Sequence, residues 1–141
     1  MSKRNTASPS FPSLTSFITW LRTRKQWTKK TPKEGNHIRV KRWDTFTPYY
    51  NHGIYISDNE VIHFSTKEIG TKQMLVKTDL IEFLNGGDVE IRIYSKKDEL
   101  QLKKTADIIE SARNRIGEIS SQMFKTDIGI DFANDCTFKR K

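Results

Sequence analysis

The chain has 141 residues, room for one domain with a single modest core and not for two. Ordinary hydrophobic content with eight Phe excludes compositional disorder, and a single Cys excludes an intramolecular disulfide, so a reducing compartment is the natural setting. The net charge of +8 is uneven: residues 1–34 carry eight basic residues against Glu34 alone, a net +7, which leaves +1 for everything behind them.

Met1 to Ser10 is basic and polar without an apolar h-region, and no apolar run approaches the roughly 20 residues that span a bilayer. The expectation is a cytoplasmic protein with peripheral membrane attachment. From Ser13 to Trp27 the spacing of Leu14, Phe17, Ile18 and Leu21 predicts a helix, with Trp20 beside them and Arg22, Arg24 and Lys25 following. Aromatic bulk next to a basic cluster suits a helix in an anionic membrane interface, through Phe17, Trp20, Leu21, Arg22, Arg24 and Lys25. A helix packed on the domain with its charges solvated is the alternative. Nucleic acid is a third partner for the charge, although no RNA-binding or base-reading motif accompanies it.

Lys33 to Asn36 reads as a turn, and the alternation from Ile38 to Trp43 predicts a strand. After an Asp44–Pro48 loop, Tyr49–Ser57 and Glu60–Ser65 predict a hairpin about Asp58-Asn59, followed by a short strand at Met74–Val76. Asp79, with Glu82 three residues on, predicts a capped short helix that Gly86-Gly87 ends. Val89–Ile93 predicts another strand. Ser95 and Asp98 predict the start of the longest helix, with an apolar stripe of Leu102, Ala106, Ile109, Ala112 and Ile116 and a stop at Gly117. Ile128 to Lys141 predicts a short final helix. Strands first and helices late imply an α+β domain over 35–141, a small antiparallel sheet against a long helix and a short Cys-bearing C-terminal helix.

His52, His63 and Cys136 stand out chemically. A catalytic thiol needs a base that lowers its pKa and a polar group that orients the base. The two histidines fall on the two arms of the predicted hairpin, and Cys136 is read at the start of a helix, where free N–H groups favour a thiolate. A lone Cys is also commonly a buried, inert small hydrophobe, and on chemistry alone both readings stand. His37 reads as a surface residue of a basic strand. Asp127, Asp131 and Asp135 read as a solvated face, and scattered His with one Cys suggest no zinc site.

Gly35 to Arg42, then His52-Gly53-Ile54-Tyr55-Ile56, Asp58 and Glu60-Val61-Ile62-His63-Phe64, resemble the first half of the lecithin–retinol acyltransferase (H-box/NC) domain. Phe132-Ala133-Asn134-Asp135-Cys136-Thr137-Phe138 resembles its second block, a polar pair and a nucleophilic Cys opening a helix. The resemblance covers about 35–138 and implies a circularly permuted relative of the papain-like thiol hydrolases. It implies a ping-pong acyl transfer without a cofactor, in which Cys attacks a phospholipid or other acyl ester and a thioester forms. Cys136 is then the nucleophile and His63 the second His, with Asn51, Tyr55 and Asn134 in support. The family's first His stands two residues before the Gly, where this chain has Asn51; His52 takes the place between. Strand alternation points His52 away from Cys136 unless a bulge re-aims it, or else His63 is the base with Asn51 as its partner. The family follows its Cys with Glu-His-Phe and a longer helix, whereas Cys136 is followed by Thr-Phe-Lys-Arg-Lys. Two functions follow: a thiol acyltransferase or phospholipase-type hydrolase at a membrane, or a catalytically degenerate member that binds a membrane or partner through its basic arm.

Overall fold

The computed structural model describes residues 26–65, 72–120 and 127–140. The helix expected over 13–27 lies outside the described residues except at its end. There Trp27 belongs to a strand, so a helix does not reach it. Six strands, β1 (Trp27–Thr28), β2 (His37–Asp44), β3 (Thr47–Ser57), β4 (Glu60–Phe64), β5 (Leu75–Thr78) and β6 (Val89–Arg92), form one sheet in the order β1-β6-β2-β3-β4-β5. Every neighbouring pair is antiparallel. The class is α+β, as the order of elements implied. The sheet also takes in Trp27 and Thr28, ahead of the boundary expected at residue 35.

Among the described residues there are four helices, α1 (Leu80–Leu84), α2 (Lys96–Glu99), α3 (Thr105–Asn114) and α4 (Ile128–Thr137). The Asp79 carboxylate accepts from the Glu82 N–H at 2.7 Å and so satisfies one of the free donors at the start of α1. Asn85, left-handed at φ 41°, ends α1 one residue before the expected glycine stop.

Two expected elements differ. No Asp44–Pro48 loop separates β2 from β3: pairing continues to Asp44↔Thr47 and the turn is Thr45-Phe46 alone. The single long helix is two, α2 and α3, with Ser95 capping the first through the Asp98 N–H. The break exists because the intervening chain pairs with the segment at the end of α4. Lys103 N–H donates to the Thr137 carbonyl at 2.8 Å, Lys139 N–H donates to that of Gln101 at 2.7 Å, and Leu102 bridges Phe138. Tertiary hydrogen bonds outweigh a helical preference worth only tenths of a kcal/mol per residue.

Side chains alternate across the sheet and define two cores. On one face Ile54, Ile56, Ile62 and Leu75 meet Ile108 and Ala112 of α3 and Phe132, Ala133 and Cys136 of α4. On the other, Ile38, Val40, Tyr55 and Val61 meet Phe83 of α1. Full burial of Phe132 removes a whole phenyl ring from water, a gain of about 2–3 kcal/mol.

Candidate functional site

The β3–β4 register decides which histidine faces which helix. Gly53 lies opposite His63 and Ile54 opposite Ile62, so His63 shares a face with Val61 and Tyr55, while His52 shares the face of Ile54 and Ile62. The expected orientations are therefore reversed. His52 is on the α4 side, together with Cys136, and His63 is on the α1 side.

His52 is buried and its Nδ1 lies 2.9 Å from Nε2 of His37, one ring donating to the other. Trp27 packs edge-on against both rings, with centroids 4.9 Å from His37 and 5.6 Å from His52. His37 is fully buried and no surface residue; its Nδ1 has no hydrogen-bond partner among the described residues. Burial, then the neighbouring positive charge of Arg39 and Arg92, lowers His52 to about 4; burial, then His52 and both arginines, holds His37 well below the usual range. Both rings are neutral at pH 7. Arg39 is itself sandwiched between Trp27 and Tyr50, 4.2 and 3.8 Å from the ring centroids, and pairs with Glu90 at 2.8 Å. This cluster ties β1, β2, β3 and β6 together. Sequence reading missed it because His37 and His52 become neighbours only once Arg39↔His52 fixes the register.

His63 points the other way. Its Nδ1 hydrogen-bonds the Phe64 carbonyl at 2.9 Å, its Nε2 lies 2.8 Å from the Thr78 hydroxyl, and the ring stands edge-on to Phe83 at 4.8 Å. Its polar partner is thus Thr78 rather than Asn51. Burial lowers its pKa, against a smaller opposing effect of the Phe64 carbonyl. A cavity of about 330 Å³ beside it is lined by Arg42, Lys77, Glu82 and Phe83 among others.

Cys136 does not open a helix. It is the penultimate residue of α4, 1% exposed, inside the core formed by Ile54, Ile62, Ile108 and Phe132. Burial pushes the thiol up to about 11, although Arg115 and Lys103 pull the other way, and the C-terminal end of a helix disfavours a thiolate. Neither histidine serves it. His63 lies across the sheet, and His52 lies against the opposite end of α4, where a methyl group on Gly129 would stand 3.3 Å from the His52 Cβ. Seven residues of helix separate Gly129 from Cys136, roughly 10 Å. The arrangement expected of a thiol nucleophile with a histidine base is therefore not formed by Cys136.

The supporting residues have structural partners. Tyr55 donates to the Asp58 carboxylate at 2.6 Å, a bond that, with burial, raises its pKa to about 12. Asn134 accepts from Arg92 at 2.8 Å and links α4 to β6. Asn51, on the α1 side of the sheet opposite Val40, lines a cleft of about 150 Å³ with Tyr49, His52, Phe64, Gln73 and Gly129 at the start of α4. Among the described residues, no group of three His, Cys, Asp or Glu is placed to hold a metal ion, and no helix is long and apolar enough to cross a membrane.

An antiparallel sheet with a His-bearing central hairpin and a helix laid across it defines an α+β domain. The lecithin retinol acyltransferase family matches residues 30–140, most of the chain, and the chain belongs to that family. The membership suggests acyl-transfer or hydrolase activity on lipids. No curated protein matches the chain.

Proposed function

We propose that this chain is a non-catalytic member of the lecithin retinol acyltransferase family that docks on anionic membrane surfaces. The observation that carries the reading is the seat of Cys136, in a dry core at the far end of α4 from His52 and across the sheet from His63. The family pattern sets its Cys at a helix start with Glu-His-Phe behind it. Here the helix starts at Ile128 and Cys136 is its penultimate residue. The first His position is Asn51. An amide at the first-His position and a thiol set apart from both hairpin histidines support a non-catalytic reading. What the fold retains is a rigid platform carrying a strongly basic N-terminal segment, net +7 over residues 1–34, which supports an anionic surface as partner.

Intact mass after incubation with phosphatidylcholine and phosphatidylserine vesicles tests the catalytic half. The expected spectrum is the unmodified chain; an acyl adduct on Cys136 that hydroxylamine removes would overturn the reading. Vesicle sedimentation tests the other half. Binding weakens with added salt and in the full chain carrying Arg22→Gln, Arg24→Gln and Lys25→Gln, while Cys136→Ala binds as wild type. Salt-independent binding, unchanged by the three substitutions, would count against it.

A further inference from the structure

The β2–β3 hairpin extends past the sheet. β2 pairs with β6 only through Ile38, Arg39 and Val40, and β3 pairs with β4 only from Gly53 onward. Among the described residues, the pairs Lys41↔Tyr50, Arg42↔Tyr49, Trp43↔Pro48 and Asp44↔Thr47 therefore form a ribbon with no further strand on either edge. A two-stranded ribbon gains little stability alone. Its turn adds a cost, because Thr45 is left-handed at φ 52°, a conformation that is strained for a β-branched side chain. Yet this marginal end carries three exposed rings, Phe46 at 89%, Trp43 at 61% and Tyr49 at 44%, while the other strongly exposed apolar side chains, such as Ile81 and Leu100, are aliphatic.

The register spreads these rings around the ribbon. Trp43 and Pro48 share one face, with the Lys41 ammonium 4.9 Å from the Trp43 ring; Tyr49 is on the other face beside Arg42; Phe46 caps the apex. A folded protein partner covers one face of a ribbon. Aromatic groups on both faces and the apex fit a medium that surrounds the tip, with Trp and Tyr at headgroup depth and Phe deeper. The charge nearby is complementary to an anionic surface. β1 and β2 are both antiparallel to β6, so they run the same way, and exposed Lys29 and Lys30 follow β1 toward the ribbon end with exposed Lys41. The acidic residues near that end are Asp44, Asp88, in an exposed pair with Lys29, and Asp127, which lines the cleft beside Tyr49 and Tyr50. Arg42 fixes the ribbon base to the sheet by donating to the carbonyls of Phe83 and Leu84 at the end of α1.

We propose that the Trp43–Tyr49 tip inserts into the interfacial layer of an anionic phospholipid bilayer. Phe46 reaches the acyl boundary, Trp43 and Tyr49 sit among the headgroups, and Lys29, Lys30 and Lys41 lie over the phosphates. This rests on the membrane-docking reading above and names the element that does it.

The test is sedimentation of the full chain with vesicles of equal parts phosphatidylcholine and phosphatidylserine, and with phosphatidylcholine alone. Phe46→Ser is expected to bind the mixed vesicles about tenfold or more weakly, the loss that follows from leaving one phenyl side chain in water. Its urea midpoint stays at the wild-type value, since the ring contributes nothing to the core. Trp43→Ser is expected to weaken binding as well. Wild-type affinity in Phe46→Ser, alongside weakened binding in the Arg22, Arg24 and Lys25 variant, overturns this inference and leaves membrane docking standing. Absence of wild-type binding to either vesicle overturns both. Wild-type self-association without lipid that Phe46→Ser abolishes also overturns the proposal, since the tip would then face a second copy of the chain.

Discussion

A thiol surrounded by Ile, Phe and Ala side chains behaves as a small hydrophobe, and Cys136 is such a residue. Whether a lone Cys is reactive depends on the end of the helix it occupies and on what fills the space around it. Neither is written in a local motif: a polar pair before a Cys and a Phe after it read equally well at either end of α4. The histidines carry the same lesson. His63 was legible as a residue of the hairpin, but its face depended on the β3–β4 register, which sets it on the α1 side, where Thr78 is its partner. His37, His52 and His63 all have folded-state pKa values below the unfolded 6.5, so the unfolded chain binds protons first as pH falls. Stability is full above about pH 6.5 and declines toward pH 4, with up to about 3 kcal/mol from His52 alone. Urea midpoints measured across that window should fall with acidification, and His52→Gln should flatten the slope. A midpoint that holds constant or rises on acidification contradicts the burial of these rings as neutral groups.

At the scale of elements, most of the strands, the Asp79 cap and the short final helix were legible because alternation and capping residues are local signals. The missing loop and the broken helix were not. Asp44 to Pro48 contains Thr, Pro and an acidic residue, which read as a loop until cross-strand pairing carries the ribbon through them. Lys96 to Ile116 has helical periodicity throughout, and only the hydrogen bonds of Gln101 and Lys103 to the end of α4 reveal why it breaks. The ribbon turn gives a direct prediction. Thr45→Gly removes the left-handed strain and should raise stability by about 0.5–1 kcal/mol, read as a higher thermal midpoint, without changing vesicle binding. A lowered midpoint would mean that Thr45 is not strained there.

Over the whole molecule, charge and hydrophobicity are partitioned. The net positive charge sits in the N-terminal segment, the two faces of the sheet hold separate cores, and three exposed rings stand at the free end of β2–β3. Family membership was legible in the His block and the order of elements; the burial of Cys136 was not, because it turned on which end of α4 the residue occupies. The reading that follows is a fold kept for where it presents its surface, with Asn51 at the family's first His position and Cys136 sealed in the core. Its central claim is the inaccessibility of Cys136, and the rate of reaction of the native chain with dithiobis-nitrobenzoate near neutral pH tests it most directly. The expected result is no reaction until urea unfolds the chain, with the thiol then titrating fully. Rapid, stoichiometric labelling of the folded protein, rising through a thiol pKa below the unperturbed value of about 8.5, would contradict it.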